Sequence, residues 1–335
     1  MILRDWQEVP ADALAEVYAS ERERWLRILQ WDSAAAWQEV EHARTAWGLP
    51  GFVVTDDGGR LAGVAYYLIE DDRLDIGGLA SDDGAATDLL LDGMLSAARD
   101  AGSGLVRGLL FDAAAALPSA LRGRGFDVRR HIYLSRCLTA DATAAPWPAV
   151  RLWSRLVERP RSGAEIAAAA DIWRTSDVDA AAALLGRAYD AEAGRLFAPN
   201  GDAGEWVRYV GNLVGHVGCG TVNPSMSQVV RDGEDMLALA LVSDIGPGTA
   251  HLAQLVVDRR LRGERLGEAL VARACQQLQA AGYSTLTLLV DEGNAPARAL
   301  YDRAGFRHEA TFLAGTLALP DVRTARRSAT LATAS

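Results

Sequence analysis

The sequence contains no lysine, so all 34 of its basic side chains are arginines. Enzymes that form a Schiff base on a lysine are therefore excluded, and so are nucleotide-binding proteins that hold phosphate with a P-loop lysine. The 44 acidic residues outnumber the arginines and give a net charge of -10. This balance argues against binding to the phosphate backbone of nucleic acids, and we expect no nucleic-acid partner.

Cysteines and long apolar runs are also scarce. The three cysteines, Cys137, Cys219 and Cys275, form no CxxC pair. Their wide spacing predicts neither a disulfide framework nor a metal site, and it indicates a reducing compartment. No apolar run reaches the roughly 18 residues that a membrane-spanning helix requires, and the N-terminal segment is charged where a signal peptide is apolar. We therefore expect a cytoplasmic protein without a membrane partner.

The chain repeats one order of predicted elements. Around residues 52–138 the residue patterns predict three strands, a long helix, a strand, a shorter helix and final strands, and the same order returns around residues 227–318. Glycines mark the ends of corresponding helices at one constant offset: Gly102 with Gly282, and Gly125 with Gly305. The constant offset indicates that the two segments are copies of the same unit.

The repeat predicts an α/β (α+β) protein of two tandem domains, each a mixed, mostly antiparallel sheet flanked by helices. We place the first domain at residues 1–140 and the second at residues 171–320. Residues 141–170 lack periodicity and are expected to link the domains, and residues 321–335 are expected to form a flexible tail. The expected state is a monomer, in which the domains form a pseudo-dimer, or a homodimer.

A basic loop in the second domain joins a predicted strand to a long helix. From Leu255 to Gly267 it reads LVVDRRLRGERLG. The N-terminus of a helix offers unpaired N–H groups and the positive end of the helix dipole, which suit an anion such as a diphosphate. On these residues alone, an ordinary turn with a solvated basic face is an alternative interpretation.

A second segment, from Asn294 to Phe306, reads NAPARALYDRAGF and has the pattern N-x-x-A-x-x-L-Y-x-x-x-G-F. Together with the basic loop and the order of elements, it resembles the GCN5-related N-acetyltransferase (GNAT) superfamily. The resemblance covers residues 171–318 well and residues 1–138 weakly. The loop departs from the superfamily motif R/Q-x-x-G-x-G/A, because Arg265 replaces the first glycine. If that position needs a positive φ, an arginine there is strained.

The resemblance implies an acetyl-CoA-dependent N-acetyltransferase that acts on the amine of a small molecule by direct transfer in a ternary complex. It implies that the strand before the loop pairs with the pantetheine arm and that the loop holds the diphosphate. It also implies that Asn294 lies near the thiol end of the cofactor and that Tyr301 protonates the leaving thiolate as general acid. The residues implied to bind the cofactor are Leu255, Val256, Val257, Arg262, Gly263, Glu264, Arg265, Leu266, Gly267, Glu268 and Asn294.

The general base stays open at this point. The candidates are His251, Asp244, Glu234 and Glu205, and we select His251 as the second catalytic residue beside Tyr301. Cys219 lies between glycines and could be a nucleophile in another class of enzyme, but the sequence offers no histidine and asparagine pattern to support that role.

The first domain carries none of the implied cofactor residues. At the offset of the repeat, Tyr301 aligns with Leu121 and Asn294 with Ala114, and the basic loop aligns with an acidic segment, residues 79–87. Because acidic side chains repel a diphosphate, we expect that this domain has lost cofactor chemistry. It either helps to shape the acceptor site or only stabilises the fold.

Two other functions compete with the small-molecule enzyme. A non-catalytic acyl-CoA-binding sensor is compatible with Arg265 in place of the motif glycine. A protein or peptide acetyltransferase would need an open acceptor groove, which the sequence does not reveal.

Overall fold

The computed structural model describes five blocks of the chain: residues 1–112, 116–138, 151–152, 161–162 and 170–320. The predicted linker therefore lies mostly outside the described residues, and the predicted tail, 321–335, lies wholly outside them. Within the described blocks, no helix is both long enough and apolar enough to cross a membrane.

The described elements of the first half are, in chain order, β1 (Ile2–Asp5), α1 (Ala11–Leu29), α2 (Ala34–Trp47), β2 (Gly51–Thr55), β3 (Leu61–Glu70), β4 (Arg73–Ser81), α3 (Gly84–Asp100), β5 (Leu105–Phe111), α4 (Leu117–Gly123) and β6 (Asp127–Cys137). Those of the second half are β7 (Arg151–Leu152), β8 (Arg161–Ser162), β9 (Asp171–Ile172), α5 (Val178–Ala188), α6 (Ala191–Gly194), α7 (Ala203–Gly215), β10 (Thr221–Val222), β11 (Gln228–Asp232), β12 (Asp235–Gly246), β13 (Thr249–Val257), α8 (Leu266–Ala280), β14 (Thr285–Asp291), α9 (Ala295–Arg303) and β15 (Arg307–Ala318).

Packing divides these elements into two compact units. Unit 1 contains Met1–Trp25, Ser33–Ile132 and the chain from Ala310 onward, and unit 2 contains Leu26–Asp32 and Tyr133–Glu309. The last strand of each half therefore begins in one unit and ends in the other. Chain order, on which the predicted domain boundaries rest, and packing thus divide the molecule differently at the end of α1 and within β6 and β15.

Unit 1 is a sheet with α3 packed on it. Strands β1 to β4 follow each other as antiparallel neighbours, and β4 then pairs in parallel with β5. The end of the chain returns as the antiparallel neighbour of β5, with Gly315 opposite Gly108. Helix α3 buries one stripe of side chains, including Leu90, Leu91 and Met94, against the sheet.

Unit 2 repeats this plan with its own strands. Strands β9, β11, β12 and β13 are antiparallel neighbours, and β13 pairs in parallel with β14, beside which β6 lies. Helix α5 places apolar side chains at the spacing of one helix face, and they pack against Trp206 and Val210 of α7 and against β12. The predicted fold class, mixed and mostly antiparallel sheets flanked by helices, is confirmed.

Candidate active site

Strands β13 and β14 form the framework of the site. They pair in parallel only between Thr249–Leu252 and Thr285–Leu288, after which β13 continues to Val257 without this partner. On its other side, Asp258 N donates to Leu237 O of β12 at 2.9 Å. Because main-chain groups alternate along a strand, those of Leu255 and Val257 face the open gap, whereas those of Val256 face β12. The gap therefore has an edge of free N–H and C=O groups.

A β-bulge lies where the two strands part. Leu241 of β12 is opposite Gln254 and Val242 is opposite Leu252, so Ala253 is an extra residue without a partner. A bulge leaves the main-chain groups of the extra residue unpaired. It also changes the alternation of side chains, so that His251 and Gln254 lie on the same face of the sheet. Both side chains are buried.

The loop between β13 and α8 presents a row of free amides. Gly263 has a φ of +83° and Arg265 a φ of +59°, and the first hydrogen bond into the helix runs from Ala269 N to Arg265 O at 3.1 Å. The six main-chain N–H groups from Gly263 to Glu268 have no acceptor in the described part of the chain. Consecutive free amides at the start of a helix are a binding site for an anion.

The arginines of this loop anchor it to the surrounding structure. Arg259 and Arg262 both donate to the carbonyl oxygen of Ala188 at the end of α5. Arg260 binds Asp258, whose carboxylate is also held by Arg187 at 3.2 Å. Hydrogen bonds from Arg260, together with that from Arg187, keep the pKa of Asp258 well below its ordinary value. The loop is therefore fixed before any ligand binds.

Helix α9 contributes Tyr301 and Asn294. Tyr301 is 7% exposed, lies edge-on to Phe306 at 5.6 Å, and its hydroxyl makes no hydrogen bond to any residue that the structure describes. Burial raises the pKa of this phenol above its ordinary value, with a further contribution from nearby Tyr189. Asn294 caps the helix, and its side-chain oxygen accepts from Ala297 N at 3.2 Å. Tyr301 thus remains neutral at physiological pH.

A hydrogen-bonded group beside Tyr301 is absent from the sequence prediction. The amide of Gln254 donates to the hydroxyl of Tyr189 at 2.9 Å, and its carbonyl oxygen accepts from the hydroxyl of Tyr209 at 3.0 Å. Phe197 packs on both tyrosines, at 5.6 and 4.8 Å. The available signal was a glutamine in a largely apolar strand, because a buried amide requires partners.

His251 lies in a closed aromatic pocket. Its ring is 5.0 Å from Trp31 and stacks on Tyr133 at 5.9 Å. Its Nδ1 lies 2.9 Å from Thr287 Oγ1, and Thr287 in turn donates to Ala250 O. Burial lowers the pKa of His251 to about 3. So weak a base accepts hydrogen bonds but does not hold a proton at neutral pH, so our proposal does not give it the role of general base.

This pocket predicts a pH-dependent stability. Because the pKa is about 3 when folded and 6.5 when exposed, the unfolded chain binds the proton more tightly, and stability is lost as the pH falls below 6.5. We expect this histidine to remove about 3 kcal/mol of unfolding free energy between pH 7 and pH 4. Denaturant titrations of His251→Leu should show a flatter pH profile. The control His42→Leu, at an exposed position, should keep the parental profile; equal slopes in all three proteins would contradict this.

The other candidates for the base have structural partners or are remote. Glu205 is buried and accepts from Asn200 N and Gly201 N at 2.8 and 3.1 Å, which closes the turn before α7. Asp244 accepts from Tyr283 at 2.6 Å on the face of the sheet opposite His251. Glu234 is exposed in the turn between β11 and β12. None of these geometries points to a general base.

The first half closes the corresponding anion site with its own side chains. Asp83 caps α3, and its carboxylate accepts from Ala85 N and Ala86 N at 2.7 and 3.0 Å. Thr87, which aligns with Gly267 in the repeat, is buried and donates to Asp83 O at 2.9 Å. An internal carboxylate thus binds two amides whose counterparts in the second half are free.

A strand that continues past its parallel partner, followed by free amides at the start of the next helix, is an arrangement that fits a long ligand bearing phosphate. Residues 169–306 match the Acetyltransferase (GNAT) family. This match assigns residues 169–306, less than half of the chain, to that family.

Individual relatives agree with this assignment. Over 116 residues the chain is 34% identical to a mycothiol acetyltransferase of Clavibacter michiganensis subsp. michiganensis, a match that covers 35% of this chain and 37% of the relative. The chain thus matches little more than a third of that relative's length. A GCN5-related N-acetyltransferase from Sphaerobacter thermophilus shares the fold with a TM-score of 0.64 and 17% identity, over 96% of this chain and 97% of that one. A tandem GNAT protein from the clavulanic acid biosynthesis pathway has a TM-score of 0.50 and 15% identity, over 81% and 82%.

Proposed function

We propose that the protein is an acetyl-CoA-dependent N-acetyltransferase that acts on the amine of a small molecule, with its active site in the second half. The observation that carries this proposal is the row of six free amides, Gly263 to Glu268, beside the unpaired edge of β13. The amides fit a diphosphate, and the strand edge fits the amide groups of a pantetheine arm. The similarity to a mycothiol acetyltransferase supports acetyl as the transferred group.

The residues present fit acetyl-CoA in detail. The amides from Gly263 to Glu268 would hold the diphosphate, and the main-chain groups of Leu255 and Val257 would pair with the pantetheine arm. Gly267 leaves little room for a side chain, because a Cβ on it would lie 3.3 Å from Leu300. Acetyl-CoA would supply the acetyl thioester, whose acetyl group passes to an amine.

Two groups of the chain serve that transfer. The unpaired N–H of Ala253, at the point where the strands part, is a fixed donor for an oxygen that gains negative charge, and such donors contribute about 3–4 kcal/mol in other enzymes. Tyr301 stays protonated at neutral pH, and we propose that its hydroxyl protonates the leaving thiolate. The acceptor amine must be neutral when it attacks.

The face of the sheet that carries His251 and Gln254 is the proposed acceptor side. The polar groups brought together there are the neutral imidazole of His251, the amide of Gln254 and the hydroxyls of Tyr189 and Tyr209. The residues around His251 include Trp31 and Tyr133 from the first half of the sequence, both of which pack within unit 2. We propose that in this way the first half shapes the acceptor site without binding a cofactor.

A thiol-release assay tests the proposal against the acyl-CoA sensor and the peptide acetyltransferase. We expect acetyl-CoA to bind, and CoA to be released when small primary amines are supplied. Tight binding of acetyl-CoA without release of CoA on any amine would instead support the sensor. Release of CoA only with peptides would support the peptide acetyltransferase. Failure of acetyl-CoA to bind would reject all three.

A further inference from the structure

Arg265 has a backbone conformation that an arginine rarely adopts. Its φ and ψ are +59° and +19°, which is the left-handed region, and it directly precedes α8. A side chain in this region costs about 1–2 kcal/mol relative to the right-handed form, and glycine avoids that cost. Such a residue persists only when its surroundings hold it in place. The free amides on either side of Arg265 depend on this conformation.

Glu268 is the group that holds Arg265. Its carboxylate is 3% exposed and binds the guanidinium of Arg265 through one oxygen, while the other accepts from Arg303 Nε on α9 at 2.7 Å. Burial acts against the charged form of Glu268, but the hydrogen bonds from Arg265 and Arg303 outweigh it and lower its pKa. One buried carboxylate therefore ties the amide loop to the helix that carries Tyr301.

Comparison of the two repeats distinguishes the link between the helices from the bond to the loop. Asp88, which aligns with Glu268, binds Arg124 at 2.7 Å near the end of α4, so a link between the two helices is present in both halves. The bond to the loop occurs only in the second half. In the first half, Ala85 aligns with Arg265 and Asp83 caps the helix instead. The bond to the loop thus occurs in the half whose amides are free, whereas the bond between the two helices occurs in both halves.

We infer that Glu268 is a positioning residue for the diphosphate, which acts by holding Arg265 in its left-handed conformation and thereby keeps the loop amides directed at the ligand. This inference rests on the proposed function of the loop. It assigns Arg265 a backbone role, so its guanidinium serves as a tether to Glu268 and not as the contact to phosphate.

A double-mutant cycle tests the inference with Glu268→Gln, Arg265→Gly and the two combined. Glycine adopts the left-handed conformation without a tether, so Glu268 should matter only when residue 265 is arginine. By calorimetry, we expect Glu268→Gln to raise the Kd for CoA about tenfold in the parental chain, and less than about twofold in the Arg265→Gly background. Arg265→Gly alone should change the Kd by less than about threefold.

Three results would overturn the inference. An equal effect of Glu268→Gln in both backgrounds would assign Glu268 to the helix link alone. No effect in either background would remove it from the site. A loss of affinity with Arg265→Gly as large as with Glu268→Gln would make the guanidinium itself the contact to phosphate.

Two further measurements distinguish a failure of this inference from a failure of the proposed function. Hydrogen exchange of residues 263–268 without ligand should accelerate in Glu268→Gln but not in the double variant, and this readout does not require CoA to bind. If exchange behaves as expected and the parental chain does not bind CoA, the positioning of the loop stands and its proposed ligand is wrong. Asp88→Asn, the matched variant in the first half, should lower stability without changing the Kd for CoA.

Discussion

Replacing Tyr301 by phenylalanine should lower kcat by about 10²- to 10⁴-fold, the usual contribution of a positioned general acid. The variant removes one buried hydroxyl that makes no hydrogen bond to any described residue, so it leaves no partner unsatisfied. We therefore expect the affinity for acetyl-CoA and the thermal stability to remain close to those of the parent. Steady-state kinetics with calorimetry measure both.

The matched control is Tyr189→Phe, which removes a neighbouring hydroxyl and leaves the amide of Gln254 short of an acceptor. It should affect stability and acceptor KM more than the release of CoA. Because the pKa of Tyr301 lies above its ordinary value, the activity of the parent should show no loss from ionisation of this phenol below about pH 10. An unchanged kcat in Tyr301→Phe would remove this residue from the role of proton donor.

Replacing Gly267 by glutamate should weaken the binding of acetyl-CoA by about 100-fold or more. The substitution brings a negative charge to the amides that are proposed to hold a diphosphate, and charge repulsion of that size is expected for partly buried groups in close contact. It also fills space beside Leu300, because even a Cβ would lie 3.3 Å from that side chain. Calorimetry with acetyl-CoA measures the effect.

Gly84→Glu is the matched control for this substitution. Gly84 is the first residue of α3 and is exposed, and the nearest atom to a Cβ there would be Ala116 Cβ at 3.7 Å. A negative charge at the start of a helix is otherwise favourable. We expect this variant to bind acetyl-CoA like the parent. Equal affinity in Gly267→Glu would contradict the assignment of the loop to the diphosphate.

The local part of the site could be predicted from the sequence. The strand, the loop and the two following helices are consecutive in the chain, so their order and the positions of Gly267, Asn294 and Tyr301 follow from one continuous pattern. The repeat likewise indicated that the first half lacks these groups. The structure adds that Asp83 accepts hydrogen bonds from two amides of the first half whose counterparts are free in the second half.

The remainder depends on contacts between distant residues, which local periodicity does not encode. Trp31 and Tyr133 surround His251 although more than a hundred residues separate each from it, and burial there lowers the pKa of its imidazole to about 3. The bulge at Ala253 depends on the register with β12. The motif shows that Arg265 replaces a glycine, but the sequence does not show how an arginine is held in that conformation. The structure shows that Glu268, which also binds Arg303, holds it.

The most direct test of the central claim is a crystal structure of the chain with bound CoA. We expect the diphosphate oxygens to accept hydrogen bonds from the main-chain amides between Gly263 and Glu268, and the sulfur to lie next to the hydroxyl of Tyr301. Coenzyme A bound in unit 1, or bound in unit 2 without contact to these amides, would contradict the account.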